Sequence, residues 1–293
     1  MRTVESKQAG LERRQPGPRK SQRNQGLWIS RIILIVASIL YVTPIYWMIT
    51  TAVKSPTELA VFPPTLIPGE WHWENFARSV EFIPFGRYLI NTLIITFFSV
   101  VGSVISNLIV AYGFSRIQWR GRDLIFGLVV ATIFVPFPVT VVPLFVIFAK
   151  LGWINTFLPL IVPTFFANPF YVFLLRQFLM QIPFEISESA KVDGASEWQV
   201  LWYLILPLAR PAIAVVAIFA AIAAWNDFFG PLIYLQDESK YTLSIGLQMF
   251  RSTHQVQWSL MMAASTLVVL PVIVIFLAFQ RSFIEGITLG SIK

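Results

Sequence analysis

The sequence predicts an all-α polytopic membrane protein with six transmembrane helices, cytoplasmic N- and C-termini, and a short cytoplasmic helical hairpin between the fourth and fifth crossings. Three observations predict it. Of 293 residues, 56% are hydrophobic and 13% are charged, where soluble domains carry roughly 25% charged residues. Apolar runs long enough to cross a bilayer, about 20 residues each, recur at 28–53, 88–113, 124–149, 155–175, 211–234 and 258–280. Basic residues are shared unevenly between the two sides that these runs define. Sixteen of the 22 Lys and Arg fall on the side of the termini and six on the other, which puts both termini in the cytoplasm by the positive-inside rule.

Residues 1–26, rich in Gln, Arg, Pro and Gly, read as a disordered basic cytoplasmic tail, and residues 27–293 as one transmembrane domain. The basic cluster Arg13 to Arg23 ahead of an apolar run invites a signal-peptide reading. The run from Ile32 to Val53 is too long for a signal core, however, and no small-x-small cleavage site follows it. Pro136, Pro138 and Pro143 crowd the third run, and Pro159, Pro163 and Pro169 the fourth. Missing amide donors and ring clashes there produce either kinked helices satisfied by their neighbours or broken helices that line a path.

Several function classes are excluded by what the chain lacks. There is no cysteine, hence no disulfide, thiol nucleophile or cysteine metal site. The net charge of +7 belongs with cytoplasmic loops, since no soluble basic and aromatic segment suits nucleic acid. The second, third, fourth and sixth runs hold no ionisable residue between their ends, and Asp227, toward the outer end of the fifth, is the single acidic residue within the runs. An ion-driven carrier commonly needs such groups. No HExxH, GxSxG or Gly-Lys dipeptide occurs, and His72 and His254 fall in outer loops. The chain thus offers no catalytic residue, no metal site and no phosphate-binding loop of its own, and any nucleotide must be bound by another subunit.

The segment 183–207 is the polar exception. Pro183 suits the first position of a helix, Glu185 and Glu188 its positive end, and Lys191 its negative end. Gly194 supplies a left-handed terminator. Ser196-Glu197-Trp198-Gln199 reads as a capping box for a second helix carrying Trp198, Leu201, Trp202 and Ile205 toward Pro207. On these grounds alone the segment is either a simple connection or a docking element for a cytoplasmic partner.

Glu188-Ser189-Ala190, Gly194 and Leu204-Ile205-Leu206-Pro207 resemble the EAA loop of ABC importer permeases, with Ser189 in place of Ala and Leu204 in place of Ile. "PIYWMITTAVKS" (44–55), "VDGAS" (192–196), "AAWNDFFGPL" (223–232), "YTLSIGL" (241–247) and the terminal "QRSFIEGITLGSIK" resemble the carbohydrate, maltose-transporter-type branch. The likeness covers nearly everything after the tail.

That resemblance implies the permease subunit of an ATP-driven importer in a bacterial or archaeal cytoplasmic (inner) membrane, translocating a sugar or oligosaccharide. Its implied partners are a second homologous permease subunit of different sequence, two cytoplasmic ABC ATPase subunits that bind ATP and Mg, an extracytoplasmic solute-binding protein and the lipid bilayer, with no nucleic acid. It also makes 183–207 an EAA coupling helix, with Glu188, Ser189, Ala190, Asp193, Gly194, Leu206 and Pro207 as the ATPase-coupling set. Aromatic faces and amides suit sugars, so Asn168, Phe170, Tyr171, Trp225 and Asn226 are candidates for the solute path. Packing or interfacial anchoring explains each aromatic among them as well. The alternative from another class is a secondary sugar carrier or channel driven by an ion gradient, and a membrane-embedded enzyme would lack a catalytic constellation.

Overall fold

In the computed structural model the backbone is described for residues 20–251 and 256–288, and side chains for 28–251 and 256–277. Among the described residues there is no strand, only an isolated bridge between Arg251 and Val256. The chain divides into two compact units, 1–48 and 49–293. The first unit is most of α1 (Lys20–Ala52), a 33-residue helix with Pro44 inside it. Its start at Lys20 makes 20–26 helical, where the sequence suggests tail, and the rest of the predicted tail lies outside the described residues. The Ser38 and Thr43 hydroxyls donate to the carbonyls of Leu34 and Ile39, each at 2.8 Å, so both are satisfied within the helix.

In the second unit, side chains tie the end of α1 to the loop beyond it. The Lys54 ammonium donates to the Thr65 carbonyl, and the Asn75 amide donates to the Ala52 and Lys54 carbonyls at 2.9 and 3.1 Å. Within the loop, the Glu58 carboxylate accepts the Thr65 hydroxyl at 2.7 Å and the Gly69 amide N–H at 3.1 Å. The Thr65 bond is the main reason that this carboxyl titrates below its ordinary range. Asn75 opens α2 (Glu74–Phe82), which leads into α3 (Phe85–Ser115).

α3 is the helix around which the unit packs. Its buried face includes Tyr88, Thr92, Ile95, Ser99, Gly102, Ser103, Asn107 and Ala111, a run at spacings of three and four that gives one helical stripe. Most of these residues are small or polar, which lets neighbouring backbones approach closely, as membrane interfaces require.

The third apolar run is two helices. α4 (Arg122–Ala131) continues as a 3-10 turn to Phe134, and α5 (Phe137–Lys150) leaves at 98°. Pro136 is extended at φ −71° and ψ 136°; it supplies no amide and keeps Val135 out of helical conformation, whose ψ is 112°. The apolar run expected over 124–149 is thus a bent pair of helices rather than one straight helix. Pro143 sits inside α5 without ending it.

The fourth run is also broken, into Leu158–Ile161, a 3-10 stretch Val162–Phe166, and α6 (Pro169–Leu179). Pro159, Pro163 and Pro169 each stand in the first turn of a new piece, where a missing amide costs least. The two readings of these prolines coexist: the helices break at Pro136, Pro159, Pro163 and Pro169, while Pro143 is carried inside α5. After the hairpin, whose first helix is α7 (Phe184–Val192), come α8 (Arg210–Trp225) and α9 (Phe229–Tyr234). The fifth predicted span, 211–234, therefore ends early at Trp225. α10 (Leu243–Gln248) and α11 (Trp258–Thr288) complete the chain. Among the described residues, four helices are long and apolar enough to cross a membrane, or up to six if each of the two bent pairs counts as one.

Gly102 shows how tight the α3 stripe is, since a Cβ there would sit 2.5 Å from Thr164 Oγ1 and 2.6 Å from the Phe165 ring. Gly102→Val should cost about 1–3 kcal/mol through overpacking. Thermal unfolding of the detergent-solubilised protein, followed by size-exclusion profile, should show the lower midpoint, while Gly113→Ala, which meets nothing within 4 Å, should leave it in place.

Candidate functional site

The polar segment forms a helical hairpin whose caps agree with its sequence. Pro183 is the N-cap of α7, at φ −53° and ψ 137°, one residue ahead of the expected first helical position. At the far end Gly194 has φ +86°, its amide donates to the Lys191 carbonyl at 3.0 Å, and the Ala195 amide donates to the Ala190 carbonyl at 2.9 Å. These two bonds are a Schellman motif, and the positive φ explains the glycine. Ser196 and Gln199 then form the reciprocal capping box, with Ser196 N–H to Gln199 Oε1 at 2.7 Å and Gln199 N–H to Ser196 Oγ at 3.4 Å. The returning strand of the hairpin passes through a π-helical stretch, Val200–Ile205, before Leu206–Leu208. Such wide turns are rare and frequently stand at functional sites.

Two polar side chains, Glu197 and Arg116, bind the hairpin to the rest of the unit. Glu197 takes an ion pair from Lys191 Nζ at 2.6 Å and a hydrogen bond from the Tyr112 hydroxyl, also at 2.6 Å. The first joins the two limbs, and the second joins them to α3. Arg116, just past the end of α3 and 4% exposed, donates to the carbonyls of Leu179 and Ile182 at 2.6 Å and Pro183 at 3.3 Å, with the Phe184 ring against its guanidinium. Arg176 bonds Phe114 O at 3.1 Å and Asp123 at 3.0 Å and lies over the Phe126 ring. Beneath these bonds, Val200, Leu201 and Ile205 are buried with Leu108, Ala111, Val172, Leu175 and Leu179.

The hairpin tip is open. Glu188, Ser189, Asp193 and Gly194 are exposed and Ala190 is half-buried; Val192 is 87% exposed. Leu206 packs against the core, whereas Pro207 is exposed. Trp198 and Trp202, which the sequence places with Leu201 and Ile205, lie at the surface.

A second concavity lies between α3, the broken fourth segment and α8. Its volume is about 540 Å³, and its polar lining includes Ser99, Ser103, Thr164, Asn168, Tyr171 and Asp227; ligand pockets span roughly 300–1,000 Å³. Ala167, also in the wall, has φ 61° and ψ 142°, a strained conformation for a residue with a side chain. It is held by Asn107, whose Oδ1 accepts the Asn168 amide at 2.7 Å while its Nδ2 donates to Ser103 O at 2.6 Å. Of the five candidates for a solute path, Asn168 and Tyr171 line this cavity. Phe170 packs on Phe219, buried Trp225 donates its indole N–H to the Val268 carbonyl at 3.2 Å, and exposed Asn226 bonds back to Ile222 O. Among the described residues no group of three or more His, Cys, Asp or Glu could hold a metal ion.

Comparison with known proteins places this geometry. Residues 103–288, which include both the hairpin and most of the cavity wall, match the family described as binding-protein-dependent transport system inner membrane component. The chain belongs to this family. It is 30% identical over 269 residues to the diacetylchitobiose uptake system permease protein of Streptomyces coelicolor, covering 90% of this chain and 88% of that one. The arabinooligosaccharides transport system permease protein of Bacillus subtilis is 30% identical over 269 residues, covering 89% and 94%. A chain of a bacterial ABC transporter involved in the import of the acidic polysaccharide alginate shares the fold, with a TM-score of 0.76 at 24% identity over 91% of this chain and 99% of that chain. As a member of the binding-protein-dependent transport family, the chain is a membrane-embedded permease and not itself an enzyme.

Sequence reasoning finds the hairpin of this permease but misses its fastenings. Tyr112 and Arg116 are distant in sequence from the groups they bind, and nothing local announces them. The small and polar stripe on α3 was legible as a helical period, and it is the signal that would have located the cavity. Arg116→Met should cost about 1–3 kcal/mol by leaving buried carbonyls unpaired. Hydrogen exchange in the purified protein should rise at residues 179–194 and stay unchanged at 92–104, with Tyr112→Phe giving a smaller change confined to the hairpin.

Proposed function

We propose that the chain is one pore subunit of an ATP-driven importer that takes a sugar or oligosaccharide from an extracytoplasmic binding protein. The observation that carries this reading is the hairpin, capped at every turn, rooted in a core, and presenting Glu188 to Gly194 outward. Two cytoplasmic ATPase subunits bind ATP and Mg, each receives one such hairpin, and a second permease subunit of different sequence completes the pore. The excess of basic residues on the termini's side supports six crossings with the hairpin and both termini in the cytoplasm of a bacterium or archaeon.

The mechanism follows from stiffness. Closure of the ATPase dimer displaces the tip, where Glu188 and Asp193 supply charge for registering the contact and Ala190 and Gly194 allow close approach. Ser189 lies on the same turn, and Leu206 and Pro207 shape the base. Because Lys191, Glu197, Tyr112 and Arg116 tie the hairpin to α3, the displacement moves α3 and the cavity wall built on it, and the bundle rocks between inward-facing and outward-facing states. Relatives carry names that range from arabinooligosaccharides to an acidic polysaccharide, so cargo charge is a matter for this chain's own cavity.

Gly194→Val forces a β-branched residue to φ +86°, which disrupts the tip without touching the core. The variant should reach the membrane in normal amounts and lose at least about tenfold, some 1.4 kcal/mol, in solute-stimulated ATP hydrolysis by the reconstituted complex. Unaltered stimulation counts against the docking role. Val192→Cys should crosslink to an ATPase subunit with a short bifunctional maleimide, and crosslinks only to the binding protein would place the hairpin on the wrong side.

A further inference from the structure

Among the described residues that line the cavity there is one charged group, and it is an acid. Asp227 follows α8 in the short break before α9, where the chain leaves helical order, and is part of the cavity wall. No Lys, Arg or His is among the described residues that line it. Its remaining polar lining is hydroxyls, an amide and a phenol, which suit neutral polyhydroxy compounds.

The carboxylate is held in place. Asp227 Oδ1 accepts the Gly230 amide at 3.0 Å, and the Asp227 carbonyl accepts the Ser244 hydroxyl at 2.6 Å. A Cβ on Gly230 would come within 2.5 Å of Asp227 Oδ2 and 2.9 Å of Leu160 Cδ2, so only glycine lets the carboxylate and the broken fourth segment come together here. A fixed negative charge inside low-dielectric walls acts over longer distances than it would in water. It accepts hydrogen bonds from sugar hydroxyls and repels carboxylates and phosphates.

We propose that Asp227 is a specificity-determining residue of this permease: with no cation opposite it in this subunit's lining, it makes the cavity accept uncharged saccharides and reject uronates and sugar phosphates. The inference rests on the reading of the cavity as part of the solute path. That reading and the charge assignment fail in different ways, so one experiment separates them.

The chain has no cysteine, so Ala223→Cys introduces its sole thiol in the cavity wall, one turn ahead of Asp227. The assembled complex in permeabilised membrane vesicles is treated, at rest and during ATP turnover, with a cationic trimethylammonium or an anionic sulfonate methanethiosulfonate. Labelling of this chain is followed by mass, and rates are normalised to those with 2-mercaptoethanol. Any effect of Asp227 on the thiol's own ionisation is common to both reagents and cancels in their ratio. The cationic reagent should react faster by on the order of tenfold, Asp227→Asn in the same background should remove the preference, and Asp227→Glu should keep it, which separates charge from packing. A ratio near one with Asp227 present, or a preference that persists in Asp227→Asn, overturns the charge assignment and leaves the path reading standing. Absence of labelling by either reagent in both conditions overturns the path reading, and the proposal with it.

Discussion

Backbone polar groups that leave helical order inside a bilayer have no water to bond, and each one left unpaired costs several kcal/mol. The fourth apolar segment leaves helical order within a stretch long and apolar enough to cross a membrane, and α3 bears the consequence. Ser106 donates to Thr164 O at 3.0 Å, Ser99 to Leu160 O at 3.4 Å, and Asn107 accepts the Asn168 amide. Gly102 removes the bulk that would keep the two backbones apart. Ser99, Gly102 and Ser106 follow one another at spacings of three and four residues along one face of α3, with Asn107 beside them. The cavity is what remains between that face, the irregular segment and α8.

The same helix carries the other half of the arrangement at its far end. Tyr112 and Arg116 continue the α3 line out of the apolar region and hold the hairpin by a carboxylate and three carbonyls. One helix therefore touches both the segment that bounds the cavity and the exposed hairpin. Under the proposed function, coupling between the two needs a connected body more than any particular relay, and α3 with its two polar attachments supplies one. The broken third run, bent by 98°, adds Asp123 and Phe126 against Arg176, which fixes the base of α6 from a third direction.

Local chemistry made much of this readable in advance. Gly194, the Ser196 to Gln199 box, and the prolines at the starts of short helices all act within a few residues, so their structural roles follow from residue type and spacing. What stayed hidden depends on distance. The right-angle bend at Pro136 could be foreseen as a break but not as an angle, since the angle is set by what α4 and α5 pack against. The helix that carries Trp198, Leu201, Trp202 and Ile205 was legible, but not which of them it buries: through the π-helical stretch, Val200, Leu201 and Ile205 are buried and the two tryptophans stay at the surface. Trp225 and Asn226 looked like solute ligands by type, but an indole N–H in an apolar setting needs an acceptor and finds Val268 O, while the amide caps its own helix. Asp227, their neighbour, faces the cavity because the helix ends just before it.

The dependence of the fourth segment on α3 has a consequence for biogenesis. A stretch with unpaired carbonyls at 160 and 164 and a free amide at 168 cannot rest stably in lipid by itself. A ribosome synthesising this chain delivers 85–115 before 158–179, so the hydroxyls and the carboxamide that will receive those groups are already in the membrane when the later segment emerges. The order of the two elements along the chain thus puts the pairing groups ahead of the segment that depends on them, and a circular permutation that reversed it would present that segment before its partners exist.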